Sequence, residues 1–175
     1  MLRVTNISAT FELGREFNLR QVADTSDDIL YSPRQFSGAK YRCLSPNYSA
    51  LLFHNGKVTL TGASSDELVS RAANHFCDYL LSLGHIGVNV TRLHINQYVG
   101  CLDIGRRISL TDFYDQHRGE CTYEVELFPG LMFKSKTCKT TFIMFCTGKI
   151  NITGSKTMEE LKNADNYIRN QINAV

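Results

Sequence analysis

The chain holds six cysteines, five histidines and seventeen carboxylates, the residue types that carry covalent, metal or proton-transfer chemistry. Their spacing supports none of it. Cys43, Cys77, Cys101, Cys121, Cys138 and Cys146 never stand two or three residues apart, so no zinc-ribbon or thioredoxin-type pair exists. His54, His75, His85, His94 and His117 lie in no metal-ligand motif, carboxylates such as Asp103 and Glu120 have no evident pairing, and no phosphate-binding glycine loop is present. Neither an enzyme nor a bound cofactor is expected. A different chemistry repeats at fixed spacing. HNGKVTLTG runs from His54 to Gly62 and CTGKINITG from Cys146 to Gly154, their first glycines 92 positions apart at 56 and 148. Each copy offers an ammonium, hydroxyl or amide groups, and a phenylalanine just ahead of it, Phe53 or Phe145. These are groups for non-covalent recognition.

The same offset pairs Phe36-Ser37-Gly38 with Phe128-Pro129-Gly130, and an offset one shorter pairs Asn6-Ile7-Ser8 with Gln97-Tyr98-Val99. An offset kept along most of each half is the signature of duplication. Two repeats are therefore expected, residues 1–90 and 91–175. Each begins with an alternating strand (TNISATFEL, RLHINQYVGCLDI) and a short helix (NLRQVADTS, SLTDFYDQH), the second with Ser109 or Thr111 as N-cap. Three strands follow in each, with tight hairpins at Asn55-Gly56 and Thr147-Gly148, where glycine takes positive φ without steric cost. Both halves close on an amphipathic helix. The first places Leu68, Ala72, Phe76, Tyr79, Leu80 and Leu83 at helical spacing up to Gly84; the second places Met158, Leu161, Ala164, Ile168 and Ile172.

Each half then reads as an antiparallel sheet with helices on one face, an α+β arrangement. Period-two alternation sorts the strand residues. Ile7, Ala9, Phe11, Val58, Leu60, Ile150 and Ile152 point toward the helices; Asn6, Ser8, Thr10, Lys57, Thr59, Thr61, Lys149, Asn151 and Thr153 point away. The outward set also holds Leu51 with Phe53 and, in the copy, Ile143 with Phe145, while Phe36 and Phe128 sit at loop-to-strand junctions. A single such Phe is commonly covered by a loop. Four in two-fold register are not an ordinary solvent face.

Composition sets the outer bounds. At 43% hydrophobic residues the chain has ample material for a packed core, and a formal charge of +2 with scattered Lys and Arg does not by itself indicate nucleic acid. No stretch reaches the apolar length of a membrane span or signal peptide, so a soluble, non-secreted protein with reduced thiols is expected. Four Asn-x-Ser/Thr triplets, at Asn6, Asn47, Asn89 and Asn151, are read as accidental.

The motifs ALLFHNGKVTLTGAS, ELFPGLMFK and FCTGKINITGSK, in this order within two repeats, resemble the core domain of the TATA-box-binding protein family, over Thr5 to about Ile172. The resemblance implies a pseudo-symmetric saddle, with a continuous curved antiparallel sheet and helices on its convex face. It implies DNA bound through the minor groove and bent by phenylalanine pairs wedged into base steps, here Phe36 with Phe53 and Phe128 with Phe145. An apolar wedge partly unstacks a step at a cost of about a few kcal/mol, and the kinked groove wraps more protein surface. At the pseudo-dyad the family places an Asn in each repeat to donate to groove-floor acceptors; Asn6 matches and Gln97 departs. Thr61 and Thr153 match residues of the same floor, and Arg42, Lys57, Lys134 and Lys149 match family phosphate contacts, which position without specifying. Of the aliphatic concave positions, Val99, Leu51 and Ile143 keep that character, whereas Ser8, Thr59, Thr141 and Asn151 do not. Hydroxyl and amide groups accept from a guanine amino group that aliphatic groups would crowd, which implies relaxed preference for TATA sequences.

The family's second-repeat loop before the phenylalanines contacts the B-type general initiation factor, and Glu124, Glu126 and Leu127 keep that pattern. In the helix from Ser65 to Leu83, Asn74, His75, Asp78 and Ser82 replace family basic residues, so other initiation factors are not implied. The resemblance places the protein in the nucleus, or wherever a viral or organellar genome is transcribed. A reading from another class stays open: an interaction scaffold with little DNA affinity, its polar face simply hydrated.

Overall fold

The computed structural model describes residues 1–173. Ten strands and four helices follow in chain order: β1 (Leu2–Glu12), α1 (Leu19–Asp24), β2 (Ile29–Leu30), β3 (Ala39–Leu44), β4 (Asn47–Leu52), β5 (Lys57–Ala63), α2 (Asp66–Ser82), β6 (Thr91–Asp103), α3 (Leu110–Gln116), β7 (Cys121–Thr122), β8 (Leu131–Lys134), β9 (Thr141–Met144), β10 (Lys149–Ser155) and α4 (Met158–Asn173). The chain forms two compact units, Asn6–Asn96 and Met1–Thr5 together with the chain from Gln97 onward. In the first, neighbouring strands run β2-β3-β4-β5-β1, and in the second β6-β10-β9-β8-β7. All the pairings within these two sets are antiparallel. Each unit has α+β architecture.

Local chemistry accounts for the helix starts. Asn18 accepts from the N–H groups of Arg20 and Gln21, Ser65 from that of Leu68, and Ser109, of the two expected candidates, from that of Asp112. These bonds satisfy backbone donors that have no intrahelical partner. At α4 the Thr157 hydroxyl accepts from Glu160 N–H while the Glu160 carboxylate accepts from Lys156 N–H.

The core of the first unit lies between its strands and α2. Ile7, Ala9, Phe11, Tyr48, Ala50, Leu52, Val58 and Leu60 are buried, as are Val69, Ala72, Ala73, Phe76, Cys77 and Leu80 of the helix. Burying a large apolar side chain contributes roughly 1.5–3 kcal/mol, so this layer outweighs any single polar contact. The helix face is turned in part from the expected one: Ala72, Phe76 and Leu80 are buried as expected, but Val69, Ala73 and Cys77 are buried too, whereas Leu68, Tyr79 and Leu83 are half-buried. Tyr79 instead stacks on Tyr41 at 4.6 Å, and its hydroxyl reaches Ser26 and Asp28. In the second unit Leu131, Phe133, Phe142, Met144, Ile150 and Ile152 pack with Leu161, Ala164, Ile168 and Ile172, four of the five α4 residues expected; Met158 is half-buried.

The repeated Gly-Lys-…-Thr-Gly phrase has a backbone cause. Gly56 and Gly148 close turns by donating to the carbonyls of Phe53 and Phe145. Both have positive φ, +78° and +87°, and a Cβ on either would lie 2.1 Å from a carbonyl oxygen, that of Arg15 or Arg106. No side chain fits there. At the far end of the phrase, Gly62 and Gly154 have φ of +108° and +101° where the register slips, between the pairs Ile7↔Ala63 and Ala9↔Leu60 and between Ile152↔Gly100 and Ser155↔Tyr98. Each is a β-bulge that bends its strand.

Candidate nucleic-acid interface

The turns that require Gly56 and Gly148 also set the phenylalanines. Phe53 N–H donates to Lys57 O and Phe145 N–H to Lys149 O, both at 2.9 Å, which fixes the backbone of each phenylalanine against that of the lysine in the repeated phrase. The partner rings come from loops of matching geometry. Phe36 N–H donates to Ser32 O at 3.0 Å and Phe128 N–H to Glu124 O at 2.9 Å. The rings meet edge to face, Phe36 on Phe53 and Phe128 on Phe145, both pairs at 5.9 Å between centroids with interplanar angles of 62° and 65°. This is the preferred aromatic geometry. None of the four is fully buried: Phe36, Phe53 and Phe145 are half-buried and Phe128 is 44% exposed.

Gly38 and Gly130, which in the sequence stand only as the last members of the repeated Phe-x-Gly triplets, lie against the rings. A Cβ at Gly38 would meet Phe36 at 2.8 Å and Phe53 at 3.2 Å; at Gly130 it would meet Phe128 at 2.6 Å and Phe145 at 3.1 Å. Each ring pair therefore sits against a bare backbone. The duplicated Phe-x-Gly spacing was the available signal.

Register arranges the outward residues in rows. In the first unit Thr10, Thr59, Leu51, Lys40 and Leu30 are successive cross-strand partners, and in the second Cys101, Asn151, Ile143, Met132 and Thr122. A second pair of rows runs Thr61, Ser49, Arg42 and Thr153, Thr141, Lys134. Strands lie about 4.8 Å apart, so a five-strand row covers roughly 19 Å. Ser8, Thr59, Thr61, Leu51, Val99, Thr141, Ile143, Asn151 and Thr153 are all half-buried, the state of side chains standing on an uncovered sheet. Thr153 is tied down, its hydroxyl donating to Thr141 O at 3.4 Å.

Asn6 is oriented by the bulge opposite. Its Oδ1 accepts from Gly62 N–H at 2.7 Å, and because a backbone N–H only donates, the amide nitrogen is left to donate elsewhere. Gln97 is half-buried at the matching position, and no hydrogen bond among the described residues fixes its amide in this way.

The cations differ in how they are held. Arg42 donates to Ser49 Oγ at 3.0 Å and Asn47 Oδ1 at 3.1 Å, two neutral acceptors that orient the guanidinium and leave its charge uncompensated. Lys57, Lys134 and Lys149 are exposed. The cross-strand neighbours of Lys57 and Lys149, Glu12 and Asp103, are engaged elsewhere, Glu12 with Arg92 at 3.1 Å and Asp103 with Gly105 N–H at 2.8 Å, and that of Lys134 is the neutral Thr141. Lys40, absent from the expected set, lies with Nζ 5.2 Å from the Phe36 ring centroid. Alternation from Arg42 was the clue to it. Glu124, Glu126 and Leu127 form an exposed turn, Leu127 at 81%, just before Phe128.

Two of the thiols, Cys121 and Cys77, are poorly suited to nucleophilic chemistry. Burial, with help from Glu120, pushes Cys121 up to about 11, and burial raises Cys77 as well, so both stay protonated near neutrality. Among the described residues no group of three His, Cys, Asp or Glu is placed to hold a metal ion. No helix of the described residues is long and apolar enough to cross a membrane.

Known proteins are similar to this chain in sequence and fold. The family profile described as transcription factor TFIID (or TATA-binding protein, TBP) matches residues 1–83 and 92–175. The TATA-box-binding protein 2 of Entamoeba histolytica is 32% identical over 158 residues, 90% of this chain and 74% of that protein. The TATA-box-binding protein of Methanococcus aeolicus is 31% identical over 171 residues, 98% of this chain and 93% of that one. The solved structure of Methanococcus jannaschii TBP superposes with a TM-score of 0.84 at 30% identity, covering 99% of both chains. Repeat, fold and similarity agree: the chain belongs to the transcription factor TFIID, or TATA-binding protein, family, and is a transcription factor, not an enzyme.

Proposed function

We propose that this protein is a general transcription initiation factor that binds promoter DNA through the minor groove and bends it, with relaxed preference for TATA sequences. The observation that carries the reading is the pair of edge-to-face phenylalanine couples, one in each repeat (residues 1–90 and 91–175), partly exposed and seated against glycine backbone. Rings held this way have apolar surface to place between base steps, and preset geometry lowers the ordering cost of insertion. Around them, Asn6, Gln97, Thr61 and Thr153 present hydrogen-bonding groups to the groove floor. Val99, Leu51 and Ile143 supply apolar contact there. Ser8, Thr59, Thr141 and Asn151 accept where a guanine amino group would otherwise be unpaired. Arg42, Lys57, Lys134 and Lys149 neutralise phosphates. The exposed turn at Glu124, Glu126 and Leu127 is the docking point for a B-type initiation factor, and the protein acts where its genome is transcribed, the nucleus in a eukaryotic cell.

The test is an electrophoretic shift and a fluorescence-transfer bend measurement on a short A/T-rich duplex, with and without a B-type factor. Wild type is expected to shift and bend the duplex, and the double variant Phe36→Ala, Phe145→Ala to lose both. Absence of any shift at low salt, where phosphate contacts are strongest, even with the factor present, would favour an interaction scaffold instead.

A further inference from the structure

We infer that Lys40 is an additional phosphate contact, belonging to the first phenylalanine pair and without a counterpart in the second; this rests on the DNA reading above. Lys40 stands between Leu30 and Leu51 in the outward row, on the same face of β3 as Arg42. Its ammonium lies over the Phe36 ring at 5.2 Å. The ion pairs among the described residues are Arg92–Glu12, Arg118–Asp115 and Arg169–Asp165, so no carboxylate neutralises it. The matching slot of the second row is Met132, which is 45% exposed. One ring pair therefore carries a cation on its face and the other does not.

A ring wedged into a base step gives its face to a base. The ammonium must then leave the ring, forfeiting a weak cation–π attraction. The strong anions close to a kinked step are the phosphates that flank it, and a lysine without another partner moves to one of them, releasing a counterion. The sequence offset also makes the inference reversible. Exchanging Lys40 and Met132 transfers the charge from one pair to the other without touching a phenylalanine.

The experiment measures equilibrium binding of the whole protein to an A/T-rich duplex over a salt series. Lys40→Met is expected to bind several-fold more weakly at moderate salt and to reduce the slope of log K against log[salt] by about 0.9, the value of one phosphate contact. Lys40→Arg keeps the slope, and Met132→Lys steepens it by a similar amount; thermal melting verifies that each variant is folded. An unchanged slope for Lys40→Met, with wild type still binding, overturns the assignment and leaves the DNA reading intact. Failure of wild type to bind at the lowest salt overturns both.

Discussion

Asn6 is held at one end of its amide and free at the other, and the proposed function gives the free end a use. Its oxygen satisfies the N–H of the bulge residue Gly62, and its nitrogen is freed to donate outward. The two uses separate by mutation. Asn6→Asp keeps the acceptor but replaces the outward donor with negative charge, so thermal stability is expected to stay near wild type while DNA binding is lost. Asn6→Ala also strands the part-buried N–H, at about 1–3 kcal/mol, and both the melting temperature and binding should fall. Gly130 provides a second residue-level test. Alanine there would crowd Phe128 and Phe145; a ring pushed off its rotamer costs about 0.5–1.5 kcal/mol, enough to weaken binding by up to roughly tenfold. The bend angle should fall with it, and an unaltered bend would show that the ring seat is immaterial. Asn6 was legible in the sequence from alternation and repeat alignment. Its partner was not, because the bulge that aims Gly62 N–H at it arises from a register slip.

Elements are positioned by turns and caps whose costs differ in kind. At Gly148 an added Cβ collides with backbone, whereas at Gly154 the nearest atom lies 3.5 Å away and only the positive φ opposes substitution. Gly148→Ala is therefore expected to destabilise well beyond the roughly 1–2 kcal/mol of left-handed strain that Gly154→Ala incurs, as read by urea unfolding. Equal losses would mean that the close approach to Arg106 is relieved by relaxation. At the C-terminal end of α2, burial and then Arg15 lower the pKa of His85, which lies 3.2 Å from the Thr25 hydroxyl. A histidine whose pKa is lower in the folded state binds more protons unfolded, so its contribution is present above the unfolded pKa of about 6.5 and is lost as pH falls through the folded value. Melting temperature should decline on acidification across that window, and less steeply in His85→Gln. The α2 face was the poorest expectation of the sequence. Ala72, Phe76 and Leu80 are buried as expected, whereas Leu68, Tyr79 and Leu83 are only half-buried and Val69, Ala73 and Cys77 are buried beside the first three; that turn of the face belongs to the sheet that receives the helix.

For the molecule as a whole, the proposed recognition would draw on the outward rows of both repeats, which differ in detail. The rows Thr10-Thr59-Leu51 and Cys101-Asn151-Ile143 hold polar groups, where the proposed reading expects purely aliphatic ones to enforce A·T pairs. Binding-site selection from a random library is expected to return sites that include G·C pairs, and a strictly A/T-rich outcome would reject relaxed preference. The family profile matches both repeats, so duplication, the order of the strands and helices, and the four phenylalanines were readable from residue types and one constant offset. The two-residue strands Ile29–Leu30 and Cys121–Thr122 were not, being too short to show a period.

By itself the sequence determined the repeat, the inward and outward residues of the longer strands it sorted, and the glycines of the hairpins, because these follow from period, offset and the sterics of a missing Cβ. Only tertiary structure decided the edge-to-face angle at which the paired rings meet, which glycines lie beneath them, and that Lys40 rests on Phe36. Those contacts join residues from separate loops and strands, and their distances are set by register and packing that local pattern does not encode.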